Sequence, residues 1–287
     1  MIKVRVPATT ANMGPGFDVI GTALDLYNTF TFTLDGDDVD RGSMIYAAAK
    51  VVFDKANRSM DAFTYEVDAD IPIARGLGSS ATCIVGGMVG ANALLDYPFN
   101  EEEILKMASD FEGHPDNVAP ALLGGCVVSI SEDDKIIYRK VKHIDAISTI
   151  AAFPDFDLST AEARAVLPKQ LSYEDAIANI GRMALLIHGL DTCDTEAIFM
   201  GLKDIIHEPY RSELIDGYKE MKAIEDRYPG KMVISGAGPT LLFVTEKSED
   251  LEVIRDSWKK ISEPLEAEWD IRILHTTDRG AEIIESH

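Results

Sequence analysis

The segment PIARGLGSSAT, residues 72–82, constrains the fold of this chain more than any other stretch. It follows an alternating run in which Phe63, Tyr65 and Val67 are separated by Thr64 and Glu66. It opens a run of small and apolar residues with helical spacing: Ala81, Ile84, Val85, Met88, Val89, Leu94 and Leu95. A strand, a glycine turn and a helix are predicted in that order. Glycine lets a backbone approach another group closely, and a helix N-terminus offers unpaired N–H groups and the positive end of its dipole. Such a turn suits an anion, a phosphate above all, and the hydroxyls of Ser79 and Ser80 could reach phosphate oxygens or a metal ion. Composition leaves a plainer alternative, in which Gly76 and Gly78 make a turn while Gly86, Gly87 and Gly90 only permit close helix packing.

Two common readings of a glycine turn fail on context. Gly76, Gly78 and Ala81 satisfy the loose GxGxxG/A dinucleotide pattern, with Asp96 about 20 residues on, where a ribose-binding acid is expected. Asp96 closes the same helix, however, and no second strand intervenes, which argues against a nucleotide-dependent oxidoreductase. The pattern GxxxxGK[ST] occurs nowhere in the sequence, so this is not a Walker-type loop.

With 287 residues, 46% hydrophobic and 26% charged, the chain has apolar material for one large domain or two modest ones. No stretch approaches the roughly 18–20 continuous apolar residues of a membrane span. Met1 to Arg5 alternate instead of forming a signal-peptide block, and a cytoplasmic protein is expected. Cys83, Cys126 and Cys193 are odd in number, far apart and without CxxC spacing, which reads as reduced thiols. Acidic residues number 49 against 27 basic ones, and the net charge of -22 disfavours nucleic acid and anionic membranes as partners. An anionic nucleotide on such a protein needs local positive potential from backbone amides, Mg²⁺ and a few placed Arg or Lys.

A change of texture near residue 150 suggests two domains, 1–150 and 151–287. Before it, Val4 and Val6 alternate with charges and Tyr27 to Leu34 is rich in Thr and Phe, both strand-like. Gly42 to Ala56 has helical periodicity, and Asn100 with Glu103 is a capping signature for a helix ending near Glu112. After it come an apolar strand from Ile147 to Phe153 and a helix with Ala176, Ile177, Ile180, Met183, Ala184, Ile187 and Leu190 on one face. Helices are also expected from Thr195 and Ser212. Strands at Met232 to Ile234, Leu241 to Thr245 and Ile271 to His275, with a helix through Trp258, complete an α+β pattern.

Taken with two other segments, the loop resembles the three-motif signature of the GHMP kinase superfamily. The segments are VRVPATTANMGPGFDVIGTALDLYN at Val4 to Asn28, PIARGLGSSAT, and ISGAGPTLLFV at Ile234 to Val244. The wording TTANMGPGFD, with EGHPDNVAPALLGG at Glu112 to Gly125, is similar to the homoserine kinase branch, and the resemblance runs from about Lys3 to the final strand. It implies an N-terminal domain like ribosomal protein S5 domain 2 and a ferredoxin-like C-terminal domain, with ATP and substrate between them. Ser235 to Thr240 would close over the site; composition alone equally allows a hairpin-like connection.

The resemblance also implies an activity: transfer of the γ-phosphate of ATP to the hydroxyl of L-homoserine, with Mg²⁺. A sibling kinase with another hydroxyl substrate is the nearest alternative, and a non-catalytic module of the same fold a further one. ATP would lie on Pro72, Ile73, Ala74, Arg75, Gly76, Leu77, Gly78, Ser79, Ser80, Ala81 and Thr82. Arg164 and Arg211 align with the family's carboxylate-binding arginines, and a guanidinium matches two carboxylate oxygens. Asp18 aligns with the acid for the substrate ammonium, and His114 lies near the substrate. Asn12 and Asn117 resemble the amides that hold the reacting hydroxyl, and since an amide accepts no proton at neutral pH, direct attack without a base is expected. Thr160 matches a threonine near the site, although STAE also reads as a helix N-cap. Ser80 and Asp110 are the expected Mg²⁺ ligands, Asp110 standing where the family usually has Glu, with Glu112 as the alternative. A homodimer is the commonest arrangement for a soluble enzyme.

Overall fold

A computed structural model describes residues 1–36, 39–246 and 250–286. Two long strands begin it: β1 (Ile2–Ala11) and β2 (Ile20–Thr33) pair antiparallel along their length. Val4, Val6, Phe30 and Phe32 turn to one face and are fully buried. That face is covered by α1 (Met44–Lys55), α2 (Ser79–Leu94), α3 (Glu101–Glu112) and α4 (Pro115–Leu123). Side-chain volume explains the closeness of α2: a Cβ at Gly86 or Gly90 would stand 2.6 and 2.2 Å from the rings of Phe30 and Phe32. The plainer reading of those glycines thus holds for the helix interior. The expected capping box is present, with Asn100 Oδ1 accepting from Glu103 N and Glu103 Oε2 from Asn100 N. β3 (Thr64–Ala69) pairs with β2, and β4 (Cys126–Glu132) and β5 (Lys135–Lys140) extend the sheet on that side.

A second, antiparallel sheet follows. It contains β6 (Ile147–Pro154), β7 (Lys231–Ile234), β8 (Leu241–Glu246) and β9 (Trp269–Leu274) in the order β7-β8-β6-β9. With α10 (Leu251–Ser262) between β8 and β9, this is the ferredoxin-like arrangement. α10 forms because Leu251, Ile254, Trp258 and Ile261 recur at helical spacing and bury on the sheet, and Trp258 Nε1 donates to Met221 O at 2.9 Å. Between β6 and β7 lie α5 (Thr160–Ala165), α6 (Tyr173–Thr192), α7 (Thr195–Gly201), α8 (Glu208–Arg211) and α9 (Tyr218–Met221). One apolar cluster joins the two sheets, Ala8 and Ile20 of the first, with Met13 and Leu77 from loops beside it, meeting Ala151, Phe153, Leu242 and Val244 of the second.

Three expectations are corrected. Ser212 opens only a single 3-10 turn to Leu214 behind the four-residue α8. On α6 Asn179, Leu186, Gly189 and Leu190 are buried and Met183 and Ile187 pack beside them, so part of the expected stripe holds, while Ile177 and Ile180 face solvent; apolar residues lie on two sides of this helix, and periodicity alone did not say which side packs. β10 (Glu282–Ser286) was not foreseen, being five residues of mixed polarity, and it pairs with β1 in the first sheet. Sheet membership therefore does not follow one cut at residue 150, because the chain returns at its end to the sheet with which it began. No helix among the described residues is long and apolar enough to cross a membrane.

Candidate active site

The three motifs meet at a cleft of ≈ 390 Å³ between the sheets. α2 points its N-terminus into it through Gly78, whose φ of 65° is left-handed and whose Cβ would lie 1.9 Å from Thr9 Oγ1. Gly76 is equally constrained, with φ of 72° and a Cβ position 2.3 Å from Ser235 O. Only glycine fits at both places, and the result is a helix start with no side-chain cap, its N–H groups left for a ligand. Ile73, Ala74, Arg75, Gly76, Gly78, Ser79 and Ser80 line the cleft. Leu77, Ala81 and Thr82 instead turn into the core, and Pro72 lines a shallow groove beside Trp269; these four support the loop without facing the cleft.

The third motif is bolted to the other two. Ser235 Oγ lies 2.6 Å from Gly76 O and 2.9 Å from Thr10 Oγ1, and Gly236 N donates to Ala11 O at 2.8 Å. Asn12 bridges the same gap: its Nδ2 donates to Gly236 O at 2.9 Å and its Oδ1 accepts from Asp18 N at 2.8 Å. Both ends of this amide are thus engaged by protein, so it fixes Asp18 and the Ser235–Thr240 turn. Asn117 is held differently. Thr9 Oγ1 donates to its Oδ1 at 2.8 Å, which turns its NH₂ away from Thr9 in the cleft lining.

Asp18 and Arg164 form a two-pronged pair at 2.7 and 3.0 Å, both side chains about one-third exposed. The pairing holds the Arg164 guanidinium above its ordinary pKa. Arg211 contrasts with it. Only 1% exposed, it donates to Ala163 O and Gly236 O and has no carboxylate partner among the described residues, and burial with the repulsion of Arg164 lowers its pKa to about 10. The ring of Phe17 lies under both guanidinium groups, 5.4 Å from Arg164 and 5.0 Å from Arg211. A buried guanidinium facing a cleft without a counter-ion is a site for a carboxylate.

Below Asp18 lie His114 and Asp116. His114 Nδ1 contacts Asp116 Oδ1, which also accepts from Asn117 N at 2.9 Å, and this contact raises the His114 pKa. Asp116 is 1% exposed and its Oδ2 has no partner among the described residues. Ligand atoms of Asp18, His114 and Asp116 lie within 4.8 Å of one another, a cluster suited to a cation. Thr160 lines the cleft, while the cap of α5 is Ser159, accepting from Glu162 N at 3.2 Å.

At the expected metal position the structure sets the two candidate acids apart. Asp110 is exposed on the outer side of α3, 2.6 Å from Lys106 Nζ, whereas Glu112 faces the cleft and its Oε2 accepts from Ser80 Oγ at 2.9 Å. Two residues along a helix turn a side chain through about 200°, so Asp110 and Glu112 cannot share a face. Burial, opposed by the Ser80 bond, holds the Glu112 carboxyl above its usual range. Asp116, Phe17 and the Thr9 to Asn117 bond went unseen in the sequence. The HPDN segment contained the signal for Asp116, a carboxylate at a helix start beside a candidate histidine.

Fold and cleft together are those of a GHMP kinase: the sequence profile of the GHMP kinases N terminal domain matches residues 43–125. Over 99% of both chains, this sequence is 44% identical to the homoserine kinase of Clostridium beijerinckii. It is 43% identical to that of Crocosphaera subtropica over 98% of this chain and 97% of the relative. The crystal structure of homoserine kinase from Cytophaga hutchinsonii superposes with a TM-score of 0.89 at 28% identity, covering 99% and 97% of the two chains. A mevalonate kinase at 14% identity and a TM-score of 0.72 shares the fold. The chain belongs to the homoserine kinase family.

Proposed function

We propose that this protein phosphorylates L-homoserine, transferring the γ-phosphate of ATP to the side-chain hydroxyl to give O-phospho-L-homoserine, a step of threonine biosynthesis, in the cytoplasm. The observation that carries the reading is that buried Arg211, which meets no carboxylate among the described residues, lines one cleft with Asp18, Asp116 and the uncapped start of α2. A zwitterion fits such a pair of poles. The carboxylate binds Arg211, with Arg164 beside it, and the ammonium binds Asp18 and the free Oδ2 of Asp116. Mevalonate and sugars have no ammonium to offer, which favours an amino acid over a sibling substrate.

The triphosphate lies along residues 73–80, its charge met by the N–H groups at the start of α2. Ser80 and Glu112 fit Mg²⁺, being hard oxygen donors side by side in the cleft. When bound there, Mg²⁺ neutralises charge on the phosphates. Asn117 presents its NH₂ to the homoserine hydroxyl and orients it, and Asn12 holds Asp18 and the closing turn. The hydroxyl oxygen forms its bond to the γ-phosphorus as the bond to the bridging β–γ oxygen breaks; ADP leaves, and the hydroxyl proton passes to an oxygen of the transferred group. Asn117 cannot take that proton. The amides at the start of α2 stabilise the charge that develops.

Release of ADP from ATP and Mg²⁺ tests this, with homoserine compared against serine, threonine, mevalonate and galactose. Homoserine-dependent ADP well above the others is expected. Equal or greater release with mevalonate or galactose would move the protein to a sibling substrate.

A further inference from the structure

His207 joins two parts of the cleft that the sequence keeps 195 residues apart. Its backbone stands at the start of α8, where Asp204 Oδ2 accepts from the N–H groups of Ile206, His207 and Glu208 at 3.0, 2.7 and 2.8 Å. One turn on, Arg211 N donates to His207 O at 3.0 Å, so the place of Arg211 follows from that of His207. The ring runs the other way. Wholly buried, it sets Nε2 2.9 Å from Gly14 O and 3.1 Å from Asn12 O. Carbonyl oxygens only accept, so Nε2 carries the proton and donates to both. Nδ1 is then a buried lone pair, and it has no partner among the described residues. Burial, helped by the charge of Arg211 and opposed by Asp204 with its Oδ2 3.7 Å from Nε2, lowers the His207 pKa and keeps the ring neutral.

Asn12, Gly14 and Asp18 have left-handed φ of 62°, 58° and 57°. Such backbone costs free energy at the two that are not glycine, so the segment needs support from outside itself. Asn12 passes that support on, since its Oδ1 accepts from Asp18 N at 2.8 Å. The His207 ring also lies 5.5 Å from that of Phe17 at an angle of 32°, and Phe17 is the ring beneath both guanidinium groups. We propose that His207 is a positioning residue: from one buried ring it sets where Asp18 stands relative to Arg211, and thus the span into which an amino acid's ammonium and carboxylate must fit. The proposal rests on the homoserine reading of the cleft. His207 acts through Asn12, Gly14 and Phe17.

Steady-state kinetics of the full chain and two variants test it. His207→Leu keeps bulk and loses the donor to two buried carbonyls; it should raise KM for homoserine about 30-fold while KM for ATP moves less than about 2-fold. His207→Gln brings an amide N–H to about the place of Nε2 and should recover most of that loss, to within about 3-fold of wild type. A histidine that only filled space would give the opposite order, with Leu the better replacement. A second measurement reads the wild type itself. Nitrogen NMR of the chain's six histidines should show one, absent from the Gln variant, with its proton fixed on Nε2 and no titration between about pH 5.5 and 8. No homoserine turnover by the wild type would defeat the proposed function and this inference with it. With turnover present, an unchanged KM for homoserine in the Leu variant, equal shifts for both substrates, a Gln variant no better than Leu, or a proton on Nδ1 would each overturn the role of His207 alone.

Discussion

The proposed nucleotide half and the proposed substrate half of the cleft are built on different principles. At the start of α2 the ligand-facing groups are backbone amides and hydroxyls, and the residues that matter are those with no side chain, Gly76 and Gly78. On the other side the groups are charged side chains delivered from far apart in sequence: Asp18 after β1, Asp116 from α4, Arg164 from α5 and Arg211 from α8. A site made of backbone is local and fails when volume is added. A site made of side chains is assembled by the fold and fails when charge or reach is removed.

The sharpest way to break the comparison is to put a methyl group into the nucleotide half. Gly78→Ala is forced into Thr9 Oγ1 with an unfavourable φ, and kcat/KM for ATP should fall about 1,000-fold, with a lowered Tm. Steady-state kinetics with varied ATP would show it; near-normal kinetics would mean that the loop yields. Next in size, Glu112→Gln should reduce kcat about 100-fold while Asp110→Asn changes it less than about 2-fold, in assays with saturating Mg²⁺. The reverse order would return the metal to Asp110. On the substrate side, Arg211→Lys should raise KM for homoserine about 30-fold with KM for ATP unmoved, since a lysine cannot bind a carboxylate in fork fashion. Arg164→Lys, at a partly exposed position already paired with Asp18, should raise it about 10-fold.

The smallest effect concerns the floor beneath Arg211. Burial pushes the Glu208 carboxyl from 4.5 up to about 8, although its Oε1 accepts from Ile234 N at 3.1 Å. The folded protein then holds a proton that the unfolded chain has released. The resulting stability is full below pH 4.5 and is lost as pH rises through 8. Glu208→Gln keeps the acceptor and removes the titration. At pH 8 it should be more stable than wild type by about 1–2 kcal/mol in denaturant melts, the gain shrinking by pH 5. A gain independent of pH would refute the buried proton.

Legibility in the sequence followed the same division. The glycine loop, its helix and the capping box at Asn100 are local patterns, and they fold where the residues place them. Arg164, Arg211 and Asp18 converge, but only likeness to a family could nominate them, since no spacing connects residues 146 positions apart. Asp110 and Glu112 show the limit in miniature: two acids two residues apart are equivalent on paper and opposite on a helix. The outward stripe of α6 and the return of β10 were hidden for the same reason, because periodicity detects an apolar face without saying what it meets.

That return has a consequence for how the molecule is made. β1 lies between β2 and β10, so one of its two edges stays open until residues 282–286 have been synthesised. At roughly 5–20 residues per second this interval is on the order of tens of seconds, during which a buried strand of the finished sheet is an edge strand on the ribosome. Ile2, Val4 and Val6 would then be fully sealed only once β10 has been made, and a chain truncated just before Glu282 would expose an unpaired strand bordering the hydrophobic core.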